Sequence, residues 1–166
     1  MDIRHATPAD HPAIARLHAA SWASAYRGML PDAYLDGPMP EDLARQWAQP
    51  TPQGAFRLVA LTNGTLAGFA AALPQGDTAY LDNLHVDPTK KGQGTGTRLL
   101  RAMAAEALKR GFTALDLTVL TKNLAARRFY TRLGGIEGAP FDEDIFGQKT
   151  RSCHITWTDL SELTAT

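Results

Sequence analysis

Residues Tyr80–Arg110 read YLDNLHVDPTKKGQGTGTRLLRAMAAEALKR, and the rest of the chain is ordered around them. Tyr80 to Val86 has strand character and Asp87-Pro88 ends it. From Gly94 to Arg110 the period changes: Leu99, Leu100, Met103, Ala107 and Leu108 form a helical stripe, and Gly111 stands where a left-handed C-cap residue belongs. Between the two lies the turn Lys90-Lys91-Gly92-Gln93-Gly94-Thr95-Gly96-Thr97. Its alternate glycines permit positive φ and close approach to the backbone. The amides of a helix start, with Lys91 beside them, suit an anion such as a diphosphate. A glycine-rich helix start also serves tight packing alone, so both readings stay open on this stretch.

Two nucleotide-binding motifs fail here. A P-loop ends in Gly-Lys-Ser or Gly-Lys-Thr, whereas these lysines precede the glycines. A dinucleotide fingerprint needs Gly-x-Gly-x-x-Gly, and Gly92-Gln93-Gly94-Thr95-Gly96 has the wrong last interval. The position is also wrong, because a doubly wound fold places its glycine loop after the first strand. In this chain Phe56 to Leu61, a turn at Asn63-Gly64, Leu66 to Leu73 and a turn at Gly76-Asp77 put three antiparallel strands before the basic turn.

Upstream, Ile3 starts a short strand and Thr7-Pro8-Ala9-Asp10 reads as a capped helix start. Ile14, Leu17 and Ser21 then share a helical face with His18 beside them. Trp22, Tyr26, Met29, Leu30 and Tyr34 follow as an aromatic-rich segment, read either as cover for the core or as pocket lining. A helix is predicted over Glu41 to Gln49, ended by Pro50 and Pro52. Downstream, Ala114 to Leu120 is an apolar strand parallel and adjacent to Tyr80–Val86, with the helix between them as crossover. A second helix, Asn123 to Leu133, stops at Gly134-Gly135. A closing strand runs from Arg151 through Thr158, and the segment before it reads as loop, with the acidic run Asp142 to Asp144 as a solvated turn or one that attracts a cationic amine.

Composition narrows the function class. Seventeen basic and seventeen acidic residues cancel, which gives no global reason to expect nucleic acid or an anionic membrane as partner. The basic residues are nevertheless clustered, first over Lys90 to Arg110 and again at Lys122, Arg127, Arg128 and Arg132. Cys153 is the only cysteine, so neither an internal disulfide nor a thiolate metal site is expected. His5, His11, His18 and His154 lack metal-ligand spacing. Without an apolar leader or spanning segment, the expectation is a cytoplasmic protein of one domain over residues 1–166.

Leu84-His85-Val86, Lys91-Gly92-Gln93-Gly94-Thr95-Gly96 and Leu99-Leu100 resemble the motif of the GNAT superfamily of acyl-coenzyme A-dependent N-acyltransferases. Asn123, Ala126, Phe129-Tyr130 and Leu133-Gly134 match a second motif of the same superfamily at the expected distance. Lys91 replaces the usual arginine or glutamine, and Gly135 stands where a hydrophobe is usual. The resemblance implies an α/β (α+β) fold, a mixed, mainly antiparallel sheet with two splayed parallel central strands and helices on both faces. It also implies that acetyl-coenzyme A donates its acetyl group directly to a primary amine of a small molecule or peptide. Leu84, His85, Val86, Lys91, Gly92, Gln93, Gly94, Thr95, Gly96, Thr97, Asn123 and Tyr130 then form the donor site. No metal is called for, and family habit suggests a homodimer.

For the chemistry, Tyr130 is the candidate acid that protonates the departing thiolate. Asp82, a charge inside an apolar strand, is the candidate base, with a structural carboxylate or a substrate anchor as the other readings. His85 has a suitable ordinary pKa but lies where the superfamily uses backbone contacts. A non-catalytic acyl-coenzyme A-binding regulator is the alternative from another class.

Overall fold

The computed structural model describes residues 1–165; Thr166, the last residue of the expected domain, lies outside them. In chain order the elements are β1 (Asp2–His5), α1 (His11–Ala25), α2 (Asp32–Leu35), α3 (Met39–Ala48), β2 (Phe56–Thr62), β3 (Thr65–Gln75) and β4 (Thr78–Val86). Then come α4 (Thr95–Lys109), β5 (Ala114–Leu120), α5 (Leu124–Arg132), β6 (Ile136–Ile145), β7 (Gln148–Trp157) and α6 (Leu160–Thr164). The strands form one seven-stranded sheet in the order β1-β2-β3-β4-β5-β7-β6. Only β4 and β5 are parallel neighbours, as a crossover through α4 requires.

Each face of the sheet is covered by its own set of apolar side chains. On one, Leu99, Leu100 and Met103 of α4 pack with Leu81, Leu115, Leu117, Ile155 and Trp157. On the other, Ile14 and Leu17 of α1 meet Trp47, Val59 and Phe69. Gly68 sets how closely α4 approaches, because a Cβ there would lie 2.9 Å from both the His85 carbonyl oxygen and Leu99 Cδ1. Gly135, unusual for the superfamily, has an equally local cause: a Cβ would stand 2.4 Å from Ile155 Cγ2. Trp157, whose indole N–H donates to the Leu133 carbonyl at 2.9 Å, already fills that space.

Several elements differ from expectation, among them β7, which begins at Gln148, before the predicted Arg151. The predicted loop before the closing strand is strand β6, and Asp142–Asp144 lie within it; the hairpin turn is Phe146-Gly147, with φ of 49° and 80°. Edge strand β6 is exposed on both faces over much of its length, so it lacks the apolar alternation that would mark it. Helix α3 begins at Met39, with Pro40 in its first turn, before the predicted Glu41. The short C-terminal α6, capped by Asp159 accepting from the Ser161 N–H at 2.9 Å, was not expected.

Candidate active site

The site begins where the parallel pair ends. β4 and β5 are paired only at Thr78–Ala114, Ala79–Leu115 and Tyr80–Asp116. Beyond that, Leu81–Val86 stay with β3 and Leu117–Leu120 with β7, so the facing edges of β4 and β5 part. A cavity of about 760 Å³ fills the wedge. Leu84, His85, Val86, Lys91, Gly92, Gly94, Thr95, Gly96, Thr97, Asn123 and Tyr130 all line it, whereas Gln93, in the same turn, does not.

The glycine turn divides between the two roles left open by the sequence. Gly92 and Gly94 have φ of 80° and 78° and open space where a Cβ would be, so conformation requires them. Gly96 has no such φ; a Cβ there would come within 3.3 Å of Phe129 Cζ, so its role is tight packing against α5. The first bond of α4 runs from the Arg98 N–H to the Gly94 carbonyl at 3.1 Å. The amides of Thr95, Gly96 and Thr97 therefore precede any helical acceptor. Thr95 is 2% exposed, and its Oγ1 has no hydrogen-bond partner. Lys90, Lys91, Lys122 and Arg132 line the same cavity. Free amides, an orphaned hydroxyl, the helix dipole and four cations fit an anionic diphosphate. Arg127 serves elsewhere, donating to Glu137 at 2.9 Å and to the Thr121 carbonyl at 2.8 Å.

Asn123 is the N-cap of α5, its Oδ1 accepting from the Ala126 N–H at 3.1 Å. Its amide NH2 is left for a ligand. Tyr130, one helical segment later, packs edge-on against Phe129 at 5.0 Å and Trp157 at 5.9 Å between ring centres. Burial, with a smaller contribution from nearby Tyr26, pushes its phenol well above the ordinary tyrosine value, so it remains a neutral donor.

Asp82 owes its direction to a feature that sequence alternation does not show. Ala71 pairs with Asn83 and Ala72 with Leu81, leaving Asp82 as the extra residue of a β-bulge. Its carboxylate is open to the cavities yet hemmed by protein; burial raises its pKa, and the charge of Arg57 partly opposes that rise. The Asn83 side-chain amide donates to it at 2.7 Å. His85 points to the other face of the sheet. Its Nδ1 lies 2.9 Å from Ser21 Oγ, its ring is 4.4 Å from that of His18, and burial lowers its pKa to about 3. His18 is neutral through burial and accepts the Trp47 indole N–H at Nδ1, 2.9 Å away, so its own proton is on Nε2.

A second cavity, of about 330 Å³, adjoins the first and shares Tyr26, Asp82, Asn83, His85 and Thr118 with it. Trp22, Phe146, Glu143 and Ser152 complete its walls. The aromatic segment that begins in the last turn of α1 is thus partly cover and partly lining: Trp22, Leu30 and Tyr34 are buried, and Trp22 and Tyr26 also border the cavity. Phe146 escaped sequence reading because it sits on the unrecognised hairpin turn, and the inward side of Glu143 and Ser152 depends on the register of β6 with β7. Cys153 is buried on the core side of β7. Among the described residues no group of three or more His, Cys, Asp or Glu is placed to hold a metal ion.

A mixed sheet whose parallel central strands diverge over a basic, glycine-built helix start defines an acyltransferase fold of the coenzyme A-dependent kind. The chain belongs to the acetyltransferase (GNAT) family, whose model matches residues 17–135. An uncharacterised N-acetyltransferase of Bacillus subtilis, YuaI, is 26% identical over 97% of this chain and 95% of its own length. The aminoglycoside N(6')-acetyltransferase type 1 of Stenotrophomonas maltophilia is 34% identical over 62% of this chain and 65% of its own. The crystal structure of PaiA N-acetyltransferase from Thermoplasma acidophilum in complex with coenzyme A shares the fold, with a TM-score of 0.71 at 22% identity over 92% and 96% of the two chains.

Proposed function

We propose that this protein transfers the acetyl group of acetyl-coenzyme A to a primary amine of a small molecule or peptide by direct attack in a ternary complex. The observation that carries this reading is the β4–β5 wedge, which brings the anion-binding turn, Tyr130 and Asp82 to one continuous opening. The orphaned Thr95 Oγ1 and the free amides of α4 suit the donor's diphosphate. The unpaired edge of Leu84–Val86 offers backbone groups to its pantetheine arm and thioester carbonyl.

In this scheme the amine nitrogen attacks the thioester carbonyl, a C–N bond forms and the C–S bond breaks. Tyr130 gives its proton to the departing sulfur, and Asp82 takes the proton lost by the amine, directly or through water. The raised pKa of both groups fits these roles: a protonated phenol as acid and a carboxylate more basic than usual as base. The aminoglycoside acetyltransferase among the relatives is consistent with a soluble amine as acceptor.

The test is a thiol-release screen with acetyl-coenzyme A and a panel of amines, beside calorimetric titration of acetyl-coenzyme A. Amine-dependent release of free coenzyme A is the expected result. Donor binding without release across the panel would make the protein a non-catalytic acyl-coenzyme A-binding regulator. Absence of donor binding would overturn both readings.

A further inference from the structure

Resting on the amine acetylation proposed above, a further inference concerns the chemical class of the acceptor. The smaller cavity is lined by acids from two separate elements, Asp82 at the bulge of β4 and, on β6, Glu143 and Asp144. Along β6, Phe141, Glu143 and Ile145 are half-buried while Asp142 and Asp144 are exposed, so Glu143 is the acid of this run that turns inward. Asp142 lies 3.7 Å from Arg151, and Asp144 accepts the Gly147 N–H at 2.6 Å. Among the described residues, the Glu143 carboxylate makes no hydrogen bond or ion pair. Its charge is felt by Tyr26 and Tyr80 on the facing walls, where it adds to the effect of burial in raising both phenols.

Independent evidence for a polar occupant comes from other atoms of the same walls. Ser152 is 0% exposed, and among the described residues its Oγ, which can accept from an ammonium, has no hydrogen-bond partner. Ser152 pairs with Phe141 across the hairpin, so its side chain shares the face of Glu143 while Cys153 turns to the core. Buried polar groups without partners are rare and costly. The rings of Trp22, Tyr26 and Phe146 supply faces that favour a cation.

The geometry points to an acceptor with two cationic amino groups: the reacting one faces Asp82 beside the donor cavity, and the second is held by Glu143 near Ser152 and the aromatic rings. A volume of about 330 Å³ is at the small end for ligand pockets, which suits a short aliphatic diamine or diamino compound. An amine with one charge would leave Glu143 unpaired.

The experiment compares kcat/KM for 1,5-diaminopentane with n-pentylamine, and for 1,4-diaminobutane with n-butylamine, in the unmodified protein and in Glu143→Gln. Calorimetric binding of the same amines to the coenzyme A-loaded protein runs alongside. The diamine should be preferred by about 10- to 100-fold, the range of one charge-assisted contact, and the ratio should fall to near one in Glu143→Gln. Equal use of diamines and monoamines, or a ratio that Glu143→Gln leaves unchanged, overturns the inference while acetylation itself stands. If no amine is acetylated but the diamine still binds about tenfold more tightly, and Glu143→Gln removes that preference, the acceptor site stands and the acetylation reading fails. No preference in either turnover or binding overturns the inference.

Discussion

Replacing Tyr130 by phenylalanine removes one oxygen from the proposed acid and little else. The side chain is 8% exposed, and its contacts with Phe129 and Trp157 are made by the ring, which phenylalanine retains. The Tyr130 carbonyl would still accept the Leu133 and Gly135 N–H groups at 3.1 Å. Among the described residues the hydroxyl makes no hydrogen bond, so the stability change should stay within about 1 kcal/mol, or a few degrees in Tm. The catalytic effect should be much larger. Burial keeps the phenol protonated throughout the neutral range, so the normal protein always has its proton to give. Losing a positioned general acid costs roughly 10²- to 10⁴-fold, or about 2.7–5.4 kcal/mol at 1.36 kcal/mol per decade. Single-turnover measurement of coenzyme A release, which product release cannot mask, should show that fall with the KM for acetyl-coenzyme A changed less than about threefold. A Tyr130→Phe rate within about threefold of normal would refute the acid assignment.

Asp82→Asn should lower turnover by roughly 10- to 100-fold and remove the acidic limb of the pH–rate profile. It should also raise Tm at neutral pH: the folded-state pKa is raised, so stability falls as pH rises from the unfolded value through the folded one, and the neutral amide avoids that loss. The Tm difference should close below about pH 4, where both states of the normal carboxyl are protonated. Gly68→Ala should cost about 1–3 kcal/mol, because its Cβ meets the His85 carbonyl and Leu99, and titration should show weaker acetyl-coenzyme A binding as the start of α4 is displaced. Gly135→Phe, though it restores a residue usual for the superfamily, should lower Tm by more than about 10 °C or prevent soluble expression, since Ile155 and Trp157 occupy the space.

The glycine turn and the starts of α4 and α5 were legible because their requirements are local. Positive φ at Gly92 and Gly94, the helical stripe of α4 and the Asn123 cap are each written in adjacent residues. The chain order of strands, turn and helix was readable for the same reason. The walls of the smaller cavity were not. Glu143 belongs to an exposed edge strand without apolar alternation, and Trp22 reads equally well as core. Asp82 was noticed as an oddity, but the bulge that aims it depends on its pairing with Ala71 and Ala72 of another strand. Sequence also could not divide labour among the glycines, since Gly96 answers to Phe129 on a different helix.

By itself, then, the sequence determined the family motifs, the glycine-built helix start and the crossover that makes β4 and β5 parallel, because periodicity, capping and backbone dihedrals are properties of neighbouring residues. Only the tertiary structure decided where the two strands part, which way Asp82 faces, and that Glu143 stands across a cavity from it. Strand pairing uses backbone groups that almost every residue possesses, so the place where pairing stops, and the opening it leaves around Tyr130, is set by packing from both faces of the sheet rather than by any single stretch of chain.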